Sequence, residues 1–350
     1  MLKFTGPIQF PKDELAHKNI VEWWYVNGFL NGQKGEKFSF MNCLFRVDIK
    51  RSQVPLLSHL PMKIIYFFHS IVANLDTGEK ETFVAPYCVV SRDSFTKDLL
   101  YINFLTESKP ILFDGYINNL LEEYELFKYR LKNEKLNLDL VYNKSPLLEG
   151  GDGYLKMNDK STYYYSLTDL SAQGILKFKN KQYEVSGKAW MDHQWADTTY
   201  NQDRWNWFSV QLENGLDLVC FEYISDGKSV YHTTLIYPDG LQKHTTNIFI
   251  TPLKRHWKSH RSGNQYILDW VIKIPHEDIE LEIKAVLPDQ EINFNAINYW
   301  EGATQIKATV AGNVVSGRGF MEIVGKYSPW GSLAFIKNTA WEVFGNWHQK

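Results

Sequence analysis

The sequence predicts an all-β protein of antiparallel strands, and three observations carry that expectation. Apolar and polar residues alternate with period two along most of the chain, Asn-Gly and Asp-Gly pairs punctuate the alternation, and Phe, Tyr and Trp make up 15% of the 350 residues. Alternation sends successive side chains to opposite faces of a strand. Asn-Gly and Asp-Gly supply the positive φ that tight hairpins need, and aromatic rings suit strands and the walls of apolar cavities. A hydrophobic content of 44% is enough to fill a core in each of two domains.

Taken in order, residues 1–11 carry Lys3 but are broken by Gly6, Pro7 and Pro11 where a secretory leader needs an apolar stretch, so an uncleaved, cytoplasmic chain is expected. Strands are predicted over 38–48, 63–75, 82–91, 137–142, 163–170 and 174–178. The most apolar run, 64–68, is stopped by His69 and falls far short of the roughly 18 residues of a membrane helix. Helical spacing is confined to 116–129 and 332–341. In the second half strands are predicted over 205–213, 216–224, 230–237, 246–252, 266–274, 279–286, 304–310 and 317–324, with turns at Asn214-Gly215, Asp226-Gly227, Asp239-Gly240 and Gly312-Asn313. The polar segment 197–203, followed by a new aromatic strand from Trp205, places a boundary near Tyr200. Domains 1–200 and 201–350 follow, each a barrel or a sandwich.

Charge and motif content exclude several functions. With 38 Lys+Arg against 40 Asp+Glu there is no basic field for nucleic acid. Cys43, Cys88 and Cys220 are odd in number and too far apart for a CxxC site, so they read as buried thiols in a reducing compartment. GxxxxGK[ST], GxGxxG at a strand–helix junction and GxSxG are absent. His276-Glu277 lacks the second His of a zincin, and the alternation after Pro275 suggests a strand. His256 and His260 lie in a basic, loop-like segment with no adjacent carboxylate, so no metal site is expected.

Three segments carry the candidate chemistry. In Gly187-Lys188-Ala189-Trp190-Met191-Asp192-His193-Gln194-Trp195, a strand would put Met191, His193 and Trp195 on one face and Trp190, Asp192 and Gln194 on the other. His193 is then either an ionisable group in an apolar wall or a core histidine bonded to a carbonyl. Glu22-Trp23-Trp24-Tyr25 sets a carboxylate before three rings, as a site residue or as a strand-edge anchor. Glu222, in the apolar strand with Cys220 and Tyr223, either faces solvent or is buried as a neutral proton donor.

Together these segments resemble the carotenoid 1,2-hydratase (hydroxyneurosporene synthase) and AttH-like family. The likeness rests on Glu22 to Gly28, Tyr163-Tyr164-Tyr165-Ser166-Leu167-Thr168, Gly187 to Trp195, Trp207 to Leu212, Trp257-Lys258-Ser259, Trp270 with Ile274-Pro275, Tyr299-Trp300-Glu301-Gly302 and Gly317 to Glu322, and covers most of the chain. The resemblance implies two tandem lipocalin-like antiparallel β-barrels or sandwiches and a ligand cavity between them. It also implies hydration of an alkene in acyclic carotenoids, with fungal relatives that hydrate a phytoalexin or cyclise polyenes. By ungapped spacing the acid of the hydratases falls on Glu222, and their Asp-His-x-Trp motif on Asp192, His193 and Trp195. Cys220 stands where the hydratases have an aromatic residue.

The expected activity is a cofactor-free, acid-initiated hydration or cyclisation of a C=C bond in an isoprenoid or polyene. Glu222 or His193 would be the acid, with Asp192 orienting a neighbour, and Trp195, Trp24, Trp190, Trp207, Glu22 and Tyr25 would line the pocket. A protonated alkene becomes a tertiary cation, which aromatic faces stabilise. The alternatives are a pericyclase that works by shape and a carrier of a lipid or isoprenoid without chemistry. The expected partner is an apolar small molecule, met in solution or at a membrane surface, and not a nucleic acid.

Overall fold

The computed structural model describes residues 8–52, 63–106, 117–200, 203–294 and 297–325. Twelve strands form the first sheet: β1 (Val21–Gly32), β2 (Lys37–Asp48), β3 (Ile64–Asn74), β4 (Lys80–Val90), β5 (Tyr101–Thr106), β6 (Ile117–Glu125), β7 (Lys128–Lys132), β8 (Leu136–Tyr142), β9 (Leu147–Leu148), β10 (Tyr154–Met157), β11 (Lys160–Phe178) and β12 (Lys181–Ala196). The path runs β11-β12-β1-β2-β3-β4-β5-β6-β7-β8. Strand β8 then pairs with β11, closing an antiparallel barrel of 10 strands.

The chain next lays down β13 (Arg204–Leu212), β14 (Asp217–Ser225), β15 (Lys228–Ile236), β16 (Gln242–Thr245) and β17 (Phe249–Pro252). A separate hairpin follows, β18 (His256–Lys258) with β19 (Gln265–Ile267). The last strands are β20 (Asp269–Ile274), β21 (Ile279–Ala285), β22 (Glu291–Phe294), β23 (Ile297–Val310) and β24 (Asn313–Val324). The second sheet is ordered β16-β15-β14-β13-β24-β23-β21-β20-β17, with β22 on β23. The all-β antiparallel expectation therefore holds, with one closed barrel and one ten-stranded sheet.

Three local expectations are corrected. The described part of the stretch 116–129 is not helical: Ile117–Glu125 is a strand paired on both sides, by β5 and β7. Its inward residues Asn119, Leu121 and Glu123 recur with period two, and the run of apolar residues beyond them is a hairpin turn into β7. The segment after Ile274 begins with a 3-10 turn, Pro275–Glu277, before the strand resumes at Ile279, and His256 lies in the β18–β19 hairpin rather than a loop. The second helical candidate, 332–341, lies outside the described residues. Cys43 and Cys220 are buried, Cys88 is half-buried, and none is bonded to another. No helix among the described residues is long and apolar enough to cross a membrane.

Three apolar layers result. Trp24, Phe38, Phe68, Leu138, Tyr165 and Trp195 fill the barrel, while Phe208, Leu218, Trp270, Leu281 and Trp300 cover one side of the second sheet. The third layer, which includes Tyr25, Cys43, Tyr164, Trp190, Trp207, Phe221, Tyr299 and Phe320, lies between the barrel's outer wall and the other side of the second sheet. Strand β12 shows where that layer begins. Residues 181–188 include one exposed position in every two, as on a solvated sheet, whereas 189–193 are buried without interruption because both faces are covered.

Gly187 stands at that transition, opposite Leu30 of β1. A Cβ there would sit 1.9 Å from the Phe29 carbonyl oxygen. The expected result of Gly187→Ala is a loss of about 2 kcal/mol, from forcing the strands apart in a packed wall, read as a lower urea midpoint at unchanged m-value.

Candidate functional site

Strand pairing assembles the candidate side chains in rows. On the barrel's outer wall the register aligns Ser166, Asp192, Tyr25, Cys43 and His69 across five adjacent strands. On the facing side of the second sheet it aligns Glu301, Glu322, Trp207, Phe221 and His232. The two rows meet in the intersheet layer. Tyr25 donates to Glu301 Oε1 at 2.7 Å, Trp207 Nε1 donates to the Tyr164 hydroxyl at 3.0 Å, and His69 Nδ1 lies 2.5 Å from the Tyr299 hydroxyl.

Asp192 is the centre of this arrangement. It is 4% exposed and accepts from Trp190 Nε1 at 2.6 Å, Ser166 Oγ at 2.6 Å and the Tyr164 hydroxyl at 2.9 Å. Burial pushes its carboxyl up to about 7, against the three hydrogen bonds, which favour the ionised form. Glu301 and Glu322 are directly opposite one another on paired strands. Burial first, then the neighbouring Glu322 charge, raises Glu301 well above the ordinary carboxylate range; burial raises Glu322 as well. Glu149, also fully buried, is raised by burial and contacts Ser166 at 3.4 Å. Burial thus favours the neutral acid form of these carboxyls among the aromatic rings of the seam. Burial also pulls His69 down to about 3, so that imidazole is neutral.

The opposite face of β12 points into the barrel and holds a second cluster. His193 Nε2 lies 3.0 Å from Glu22 Oε1, and its Nδ1 lies 3.1 Å from the Tyr165 hydroxyl. His17 joins the same carboxylate through its Nδ1 at 3.0 Å and its backbone N–H at 2.8 Å, and its ring stacks on Trp195 at 3.8 Å. Trp24 stacks on His193. Burial opposes charge on this pair, but the Asp13 and Glu22 bonds outweigh it and raise His17, while the two imidazoles lower Glu22. Tyr165 and Tyr129 both donate to Glu14, which burial, and next the Glu123 charge, push up to about 8.

The residues singled out from sequence thus divide. Asp192, Trp190, Trp207 and Tyr25 converge between the sheets, while His193, Glu22, Trp24 and Trp195 converge inside the barrel. Glu222 belongs to neither group. It shares a face of the second sheet with Leu218 and Cys220, is half-buried, and accepts from Asn206 at 2.8 Å, Ser229 at 2.8 Å and Tyr231 at 3.0 Å. The expectation of an apolar pocket around Glu222 gives way to a polar, three-donor setting. Tyr164, Ser166, Glu301 and Glu322 stand in the motif segments, and each shares a strand face with a candidate residue, which is their signal in the sequence. His17 precedes β1 in an irregular segment and has no such signal.

His17 Nδ1, Glu22 Oε1 and His193 Nε2 lie within 4.8 Å of one another. Two imidazoles and a carboxylate are a donor set for a zinc-class ion, and the other nitrogens of the two rings reach Asp13 at 3.5 Å and Tyr165 at 3.1 Å, as ligating histidines do. The same contacts also form a complete proton-linked network without an ion.

Back-to-back packing of a closed barrel on a second β-sheet, with acids and aromatic rings in the seam, defines a two-sheet β protein with a buried polar site. The chain belongs to the AttH-like family, whose model matches residues 3–326. Its fold is similar to that of an AttH protein of Nitrosomonas europaea, with a TM-score of 0.70, 23% identity and coverage of 92% of this chain and 98% of that one. It is also similar to kievitone hydratase of Nectria haematococca, with a TM-score of 0.70, 18% identity and coverage of 94% and 97%. CghA with Sch210972 is more distant, with a TM-score of 0.55, 10% identity and coverage of 88% and 89%. In sequence the chain is 23% identical over 190 residues to the dehydratase asqC of Emericella nidulans; the match takes in 51% of this chain and 53% of that protein, so it spans about half the length of that relative.

Two predictions follow from the electrostatics. Because the folded-state pKa of Asp192 is raised, its proton stabilises the fold fully below the unfolded carboxyl value near 4, and that contribution is lost as pH rises to about 7. Asp192→Asn should remove up to about 1.4 kcal/mol per pH unit of this slope, seen as urea midpoints that converge on wild type at low pH and exceed it at pH 7. For the His17–Glu22 pair, the raised imidazole stabilises below its unfolded value and fades as pH rises through its folded one. The lowered carboxylate stabilises above its unfolded value and fades as pH falls through its folded one. His17→Gln should therefore cost most near pH 5–6, about 3 kcal/mol for breaking a buried pair, and less at pH 9 in the same assay.

Proposed function

We propose that this chain is a proton-transfer enzyme that adds water to, removes water from, or cyclises a C=C-bearing small molecule held between the two sheets, with Asp192 as the acid. The observation that carries this reading is a buried carboxyl raised to about 7 beside Trp190, Trp207 and Tyr164. An acid whose pKa is near the working pH exists in both protonation states and can donate and recover a proton. The hydratase and dehydratase names of its relatives support the reaction class, and the resemblance to carotenoid hydratases supports an isoprenoid or polyene as substrate.

In the hydration direction neutral Asp192 gives its proton to one alkene carbon, and the π-electron pair forms the new C–H bond. The tertiary cation left on the other carbon lies against indole and phenol faces. Water attacks the cation, and the proton it sheds returns to the Asp192 carboxylate, so the acid is regenerated. Dehydration is the reverse; in cyclisation a second π-bond replaces water as the nucleophile. Tyr164 and Ser166, both bonded to Asp192, orient its carboxyl. Burial, and next the Glu322 charge, favour the neutral form of Glu301 across the seam, which limits negative charge near the donor. On this reading His193 and Glu22 act inside the barrel by fixing β1 against β12, and Glu222 is remote from the proton transfer.

The test combines product mass with three variants. Organic extracts from cells with and without the chain should differ by a compound that has gained or lost one water, or by an isomer of unchanged mass. With that compound in hand, Asp192→Asn should lower kcat by about 10²–10⁴, the usual worth of a general acid, and wild-type kcat should fall as pH rises past 7. Glu222→Gln should retain activity. Full activity in Asp192→Asn, with loss in Glu222→Gln or His193→Ala, would move the acid elsewhere; an unmodified co-purifying lipid would make the chain a carrier.

A further inference from the structure

The intersheet layer continues past Asp192 toward the end of β1, where it opens into a cleft of about 260 Å³ lined by Phe29, Lys37, Leu75, Val286, Gln305 and Arg318. Arg318, on the same face of β24 as Phe320 and Glu322, lies with its guanidinium 4.7 Å from the Phe29 ring centroid. It makes no hydrogen bond or ion pair among the described residues, although Asp169 and Glu213 are near enough to favour its charge. Its five N–H donors are half-buried and available. A second orphaned donor lies between the cleft and the acid. Asn27, 2% exposed, shares a face with Tyr25 and Phe29 and pairs with Trp190 and Met41, and its Nδ2 has no acceptor. Buried donors without partners are costly unless something else accepts from them.

We propose that Arg318 and Asn27 form an anchoring subsite for a carboxylate at one end of an apolar substrate whose other end reaches Asp192. The inference deepens the reading of Asp192 and rests on it for the identity of the reacting end. Charge sets the class of the head group. The lining holds Arg318, Lys37 and Asp76, and Asp169 and Glu213 are near Arg318, so the limited positive charge suits a carboxylate better than a multiply charged phosphate ester. Geometry sets the length. Tyr25 is opposite Asp192, and Phe29 follows four residues later on the same face, roughly 13 Å along an extended strand. Phe29, which lines the cleft, packs edge to face on Phe320 at 5.4 Å and so joins the cleft to the apolar layer around Asp192.

The test needs only binding. The full chain is titrated with cis-parinaric acid, a fluorescent polyene carboxylic acid, and with its methyl ester. The acid should bind at least tenfold more tightly, and Arg318→Gln should erase that preference while ester binding stays the same. Asn27→Ala should weaken the acid more than the ester. Asp192→Asn should keep the preference, so loss of catalysis at Asp192 and loss of the subsite are read separately. Equal affinity of wild type for acid and ester would overturn the proposal without any variant, as would an acid preference that survives Arg318→Gln in protein with an unchanged circular dichroism spectrum.

Discussion

The structure depends on strands that are buried on both faces. Around Asp192, β11, β12, β1 and β2 have the barrel core on one side and the second sheet on the other, so every residue there must satisfy a dry environment. The period-two pleat then sorts neighbours with no freedom of choice: a one-residue step moves a side chain from one interior to the other. Asp192 and His193 are adjacent in sequence and belong to different chambers. Strand alternation alone explains why a single nine-residue motif supplies side chains to both the seam and the barrel interior.

The two chambers solve the burial of charge differently. Inside the barrel the carboxylate of Glu22 is kept ionised by two imidazoles and a backbone N–H, and Glu14 is left neutral under two phenols. In the seam no cation balances Asp192, Glu149, Glu301 or Glu322 in the hydrogen bonds and ion pairs of the described residues, and burial shifts each of them toward its protonated form instead. The two interiors thus hold carboxyls of opposite tendency, with Glu22 shifted toward its ionised form by its partners and the seam carboxyls shifted toward their neutral forms by burial.

The fold class was legible because hairpin turns and alternation are local, and the strands of the second sheet fall close to their expected positions. The helix expected at 116–129 failed because leucines on both sides of a strand-turn-strand mimic a 3.6-residue period until pairing is known. The two faces of β12 could be read from alternation, which separated Trp190 and Asp192 from His193 and Trp195. What alternation could not reveal was that the outer face is also dry; the run Ala189-Trp190-Met191 was its only local trace. Glu222 illustrates the reverse error. Its apolar neighbours suggested burial, but Asn206, Ser229 and Tyr231 arrive from adjacent strands and supply donors that no local pattern announces. Likewise Glu301 and Glu322 are twenty-odd residues apart in sequence and become opposed only through the β23–β24 register.

The Tyr25–Glu301 bond has a meaning beyond the site it borders. It joins the first strand of the barrel to β23 of the second sheet, residues 276 apart in sequence, so the seam closes only when both sheets are in place. Burial raises the carboxyls of Asp192, Glu149, Glu301 and Glu322 above their ordinary range, so apposition of the two sheets favours proton uptake and is itself favoured by a lower pH.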